Sequence, residues 1–186
     1  MFGGGMLRKC RLPTFLVLMG VLVGCANHPP YEPPIDGSAV KVLLVNEAEG
    51  TNRFAYYPNS RDCSGVFFLP HKTMGQVRPQ AVLESKFPAD RPLTFGFLYY
   101  AGFGNGTRVT LERCQLVATF RPEVGYTYEL AYKIGGTGAD RRCVIQALRR
   151  SDASGAIERI RLNMRKWNGD WVSRDAQCAV DPTIPE

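Results

Sequence analysis

The chemistry open to this 186-residue chain lies mostly in six cysteines and a cluster of arginines. Cys63, Cys114, Cys143 and Cys178 form an even set in which no two thiols stand two to four residues apart, the pairing a structural zinc site uses. Their spacing predicts two disulfides and no metal site. Four cysteines allow three connectivities and sequence does not choose among them; the preferred pairing is Cys114 with Cys143 and Cys63 with Cys178. Arg159, Arg161 and Arg165 fall on one side of a β-like run whose other side carries Ile160, Leu162 and Met164. Along a strand such guanidinium groups repeat at multiples of about 6.8 Å, and each forks bidentately onto an oxyanion. The row predicts a face for lipopolysaccharide phosphates, anionic glycan or an acidic protein, or else a solvated strand face that discourages edge pairing.

Catalytic constellations are not in view. His71 is the one histidine of the domain, while Ser60 and Ser64 lack the strand-turn-helix elbow of a hydrolytic nucleophile. Gly102–Gly106 and Gly135–Gly138 lack the lysine and hydroxyl of a phosphate-binding loop and read as hairpin loops. The carboxylates are scattered over strand faces and turns, so the chain reads as a non-enzyme without a cofactor.

Cys25 has a different setting. Arg8, Lys9 and Arg11 precede an apolar run from Phe15 to Val23, and Leu22-Val23-Gly24-Cys25 closes it. The run is too short for a spanning helix, which needs about 20 apolar residues, and Pro30, Pro33 and Pro34 forbid its extension. The segment reads as a cleaved signal helix, and with its flanks it resembles a bacterial lipoprotein signal. That resemblance implies cleavage after Gly24 and a diacylglycerol on the Cys25 sulfur, with palmitate-type chains anchoring the protein to a membrane. Thiol parity agrees, because Cys10 leaves with the signal and counting Cys25 would strand one thiol. Two or three acyl chains hold durably where one does not. Ala26, rather than Asp, after the cysteine implies export to the outer membrane, with the domain facing the periplasm and the cell surface left open as the alternative.

Loss of residues 1–24 removes three basic residues, so that 20 Lys and Arg face 17 Asp and Glu, a net charge of +3. That is too mild for nucleic-acid binding. The remaining 162 residues (186 less 24) comprise Cys25 with its tether, residues 25–37, and one domain, residues 38–186, of a size able to bury roughly 70% of its unfolded surface. Residues 26–37 hold four prolines and predict an extended spacer reaching about 30–40 Å, with His28 solvated on it.

The domain itself reads as strands. Val40–Val45 predicts a central strand buried on both faces, Val66–Leu69 a short one stopped by Pro70, and Thr94–Ala101 an aromatic one. Cys114–Phe120 and Tyr126–Tyr132 each alternate with period two around Arg121–Gly125, which predicts a hairpin. The opposite phase of Val109 and Leu111 predicts a bulge at Glu112 and Arg113. Ile160–Arg165 reads as one strand and Asn168-Gly169 as a tight turn returning through Trp171–Ser173. Gln76–Lys86 is the best place for a short helix, confined by Pro79 and Pro88. Tyr99, Tyr100, Tyr126, Tyr128 and Tyr132 read as core and rim rather than as a ligand surface.

The whole predicts an all-β, antiparallel β-sandwich of about 7–9 strands. Cys114, Phe120, Pro122, Gly125, Tyr126, Tyr128, Glu129 and Cys143 resemble the pattern of small bacterial lipoproteins with prealbumin-like or immunoglobulin-like sandwich domains. The functional expectation is a membrane-anchored binding or structural module whose partners are the membrane, through Cys25, and an envelope protein or an anionic glycan or lipid. The alternatives are an inhibitor or immunity-type lipoprotein presenting a loop at 70–92 or 134–141 to an envelope hydrolase, or a secretion-system accessory lipoprotein.

Overall fold

Eleven strands among the described residues build two sheets around a core of aromatic side chains. The computed structural model describes residues 29–35, 38–104, 109–135, 142–168, 175 and 177–184, with the backbone alone at 100–104 and 109–113. The signal helix, Cys25, His28 and the Asn168-Gly169 turn with its return strand lie outside these residues or extend beyond them.

The first sheet contains, in spatial order, β10 (Ile157–Arg159), β9 (Arg142–Ser151), β8 (Tyr126–Gly135), β1 (Ala39–Asn46) and β5 (Val82–Pro88). The second contains β11 (Asn163–Arg165), β7 (Val109–Phe120), β6 (Leu93–Gly104), β2 (Asn52–Tyr57) and β3 (Phe67–Leu69), with β4 (Gln76–Val77) also on β2. One pair is parallel, β1 with β8, and the remaining pairs are antiparallel. The sandwich is as the sequence predicts, with more strands because β4, β10 and β11 are pieces of two or three residues.

Val40, Val42 and Leu44 from β1, Tyr128, Leu130 and Tyr132 from β8, and Phe54, Phe95 and Phe97 from β2 and β6 meet between the sheets. Fully burying a side chain of this size stabilises by roughly 1.5–3 kcal/mol, so these residues dominate the fold. Tyr132 and Phe97 stack across the gap with ring centroids 5.8 Å apart. Cys114 on β7 and Cys143 on β9 are disulfide-bonded between the two sheets, their Cα atoms 6.0 Å apart. The Tyr132 hydroxyl donates to the Cys114 carbonyl at 3.3 Å beside that bridge, and burial raises its pKa well above the ordinary phenol value.

A second apolar layer covers the outer face of the second sheet. Ala55, Tyr57, Phe68, Leu98 and Val117 pack there under Cys63, Val66, Trp167 and Cys178. The Cys63–Cys178 disulfide, Cα atoms 5.3 Å apart, ties the C-terminal segment to the 58–66 loop. Both bridges follow the preferred pairing.

Several expectations are corrected. Cys114–Phe120 and Tyr126–Tyr132 keep their period-two faces but are not paired: β7 pairs β6 and β8 pairs β9 and β1, so Arg121–Gly125 crosses between sheets. Two strands whose apolar faces oppose across a core show the same alternation as two strands side by side, and pattern alone does not separate them. β7 pairs β6 in unbroken register from Val109 to Phe120, with no bulge at Glu112 and Arg113. Gln76–Lys86 forms β4 and β5 instead of a helix, and the one helical turn among the described residues is a 3-10 turn at His71–Thr73. β1 is buried on one face only, Lys41 being exposed and Leu43 and Val45 half-buried, because the outer face of its sheet lacks the covering layer that the other sheet has.

Candidate functional site

Two chain crossings lie side by side at one corner of the sandwich, and the site is built from them. The first is Arg121–Gly125. Pro122 is buried, Gly125 takes φ +87°, and the Tyr128 hydroxyl accepts a hydrogen bond from the Glu123 N–H at 2.7 Å. A tyrosine hydroxyl bonded to the backbone just upstream, where the chain changes sheets, is the corner device of immunoglobulin-type sandwiches. Arg121 is thereby held at the mouth of the crossing with its side chain exposed.

The second crossing joins β10 in the first sheet to β11 in the second. Ile160 and Leu162 turn inward onto the core, which leaves Arg161 between them pointing out. The predicted continuous strand from Arg159 to Arg165 is therefore broken, and the arginine row with it. Beyond the crossing the phase reverses: Met164 is exposed while Arg165 turns in. Its guanidinium donates to the carbonyls of Arg61 and Ala179, both at 2.7 Å, and of Ser60. Desolvation lowers its pKa from the usual guanidinium value. Arg165 is a structural clamp between the 58–66 loop and the C-terminal segment, and it leaves the predicted anion-binding face for that reason.

Arg149 is also engaged. Its Nε donates to Glu158 at 2.6 Å and its Nη1 to Glu123 at 2.8 Å, and the guanidinium lies 4.4 Å from the centre of the Tyr126 ring. These carboxylates raise its pKa. By contrast Arg121, Arg159 and Arg161 are exposed and make no ion pair or hydrogen bond among the described residues.

Three adjoining hollows converge on Arg121. One is lined by Arg121, Arg159, Arg161, Phe120 and Tyr128 together with the Glu123–Arg149 pair. The next runs along β11 past Arg161, Asn163 and Met164. The third opens on the opposite side, where Arg121 faces Arg91, Pro58, Val180 and Ile184. Arg91 there is paired to Asp90 at 3.1 Å. Two of the three predicted arginines thus meet, Arg165 does not join them, and Arg121 takes its place. In the sequence Arg121 reads as a turn residue. Its available signal was an Arg-Pro step at the end of a period-two strand.

The other candidates fall elsewhere. His71 is exposed in the 3-10 turn, and the Ser60 hydroxyl donates to the Pro92 carbonyl at 2.7 Å. Tyr99, Tyr128 and Tyr132 are buried, Tyr126 is half-buried, and the Tyr100 side chain lies outside the described residues. Residues 70–92 do not protrude as a loop, being taken up by the 3-10 turn, β4 and β5. Most of the loop at 134–141 lies outside the described residues. Among the described residues no three His, Cys, Asp or Glu side chains stand close enough together to hold a metal ion.

The spacer behaves differently from a free tether. Tyr31 stacks on Phe87 at 4.8 Å and meets Tyr56 and Phe67 edge-on at 5.2 and 5.7 Å, closing the seam between β5 and β3. Its hydroxyl donates to the Lys86 carbonyl at 2.8 Å. Burial raises its pKa, with a further push from Tyr56. The Tyr56 phenol is itself pushed up to about 12, chiefly by burial, with Arg91 lowering it and Asp90 raising it.

These features define the class, an all-β sandwich with one disulfide across its core and another under a covering strap. Comparison with protein-family models, with curated proteins and with solved structures finds no match to this chain.

Proposed function

We propose that this chain is an envelope lipoprotein, anchored to the outer membrane through Cys25, whose periplasmic β-sandwich is a non-enzymatic binding module for anionic groups. The Leu22-Val23-Gly24-Cys25 signal and the pairing of the other four domain cysteines support the anchor. The Tyr128 corner and the inter-sheet disulfide support kinship with immunoglobulin-like sandwich lipoproteins.

The observation that carries the binding role is the convergence on adjoining hollows of Arg121, Arg159 and Arg161, which make no ion pair among the described residues, while Arg149 beside them is paired to Glu123 and Glu158. Guanidinium groups left in this state match phosphate, sulfate or carboxylate oxygens. The test has two arms. Labelling cells with radioactive palmitate should mark the wild-type chain and leave Cys25→Ser unlabelled. Titration of the full chain, in uncharged detergent, with inorganic polyphosphate should show salt-sensitive binding that is lost in the R121E/R159E/R161E variant. Equal binding by that variant would remove the arginine site.

A further inference from the structure

We infer that the arginine corner faces the bilayer that holds Cys25, and that the anionic groups it takes are the phosphates of that bilayer's own anionic phospholipids. This rests on the reading of Cys25 as the lipidated residue. If free, residues 25–37 would carry the domain about 40 Å from the surface in a polyproline conformation. Docking at Tyr31 leaves only the six-residue stretch from Cys25, whose fully extended span is at most about 20 Å. β7 alone, at 12 residues, is about 40 Å long. A tether half the length of the domain holds the end it leaves from against the membrane.

That end is the arginine end. Tyr31 stacks on Phe87 near the end of β5, and Asp90 and Arg91, just beyond that strand, share a hollow with Arg121. Arg121 in turn shares the next hollow with Arg159 and Arg161. The three most exposed large apolar side chains among the described residues, Ile35 at 97%, Ile157 at 65% and Val124 at 61%, also stand at this end. Ile35 precedes β1, Val124 lies in the Arg121–Gly125 crossing, and Ile157 begins β10 opposite Arg150. Cations with apolar tips between them are the composition of surfaces that settle at a headgroup layer. Each arginine brought near an anionic leaflet strengthens the contact on the order of fivefold, within a Debye length of about 8–10 Å.

The test uses the full lipidated chain in vesicles of phosphatidylcholine alone and of phosphatidylcholine mixed with phosphatidylglycerol. Hydrogen exchange should slow on the order of tenfold at the amides of 121, 123–125 and 157–162 on the mixed vesicles only, given several arginines in contact. Amides 47–50 at the far end should not change. The R121E/R159E/R161E variant should lose the protection, and Val124→Ser, which keeps every charge, should weaken it. Equal exchange on both vesicle types, or protection at 47–50, would overturn the orientation. If the corner stays unprotected while polyphosphate still binds in detergent, the membrane inference falls and the binding module stands. A Cys25 found without lipid removes the inference together with the anchor and leaves the polyphosphate result untouched.

Discussion

Asn46 and Arg121 are polar hubs at opposite ends of the sandwich, and they are satisfied in opposite ways. Asn46 ends β1 and is wholly buried. Its Nδ2 donates to the carbonyls of Gly50, Val77 and Arg78, each at 3.0 Å, and its Oδ1 accepts from the Ala48 N–H at 3.1 Å and from the Asn52 amide. Arg121 is exposed at the other end, three hollows open onto it, and none of its donors is taken up among the described residues. Burying a polar group is tolerable only when it is hydrogen-bonded, so the Asn46 network exists to let β1 end inside the fold. An exposed cation faces no such demand. Its partner can come from outside the molecule.

Breaking the buried hub should have the largest effect. Asn46→Leu removes the donor to three buried or partly buried carbonyls, and urea unfolding should report a loss of about 3–5 kcal/mol. Arg165→Met comes next. Although the sequence places it in the arginine row, Arg165 holds backbone carbonyls on two segments, so its loss should destabilise by about 2–3 kcal/mol and leave polyphosphate binding intact. A pair of tyrosines sharpens the same distinction between satisfied and unsatisfied groups. Tyr128→Phe removes the corner hydrogen bond and should cost about 1 kcal/mol. Tyr57→Phe removes a buried hydroxyl that has no partner among the described residues, and should leave stability unchanged or raise it by up to about 1 kcal/mol. Smallest of all, Arg161→Ala should change stability by less than about 0.5 kcal/mol, because its exposed side chain holds nothing in place.

Much of this architecture is legible in the residue pattern. Period two at Tyr126–Tyr132 places Tyr128, Leu130 and Tyr132 in the core, and the even cysteine set points to two bridges without fixing which thiols pair. Strand pairing is less legible, as the mistaken hairpin at Arg121–Gly125 shows, because alternation records which side is buried and not which strand lies alongside. The corner is half legible for the same reason. Arg159 and Arg161 stand out as an alternating pair, but the sheet change at residues 160–162 inverts the phase and pulls Arg165 inward. Nothing local in the sequence marks that inversion. The docking of Tyr31 depends on a gap between β5 and β3, which exists only once both sheets are formed.

The most direct measurement compares equal charge reversals at the two ends of the full chain, by titration with inorganic polyphosphate. One variant reverses Arg121, Arg159 and Arg161 to glutamate. The other reverses Arg53, Arg78 and Arg142, which lie toward the Asn46 end. Because the attraction is between exposed charges, wild-type binding should fall steeply with salt. Loss of binding in the first variant with retention in the second is the predicted result. Equal loss in both would mean that polyphosphate reads net charge alone, and would contradict a built site at Arg121.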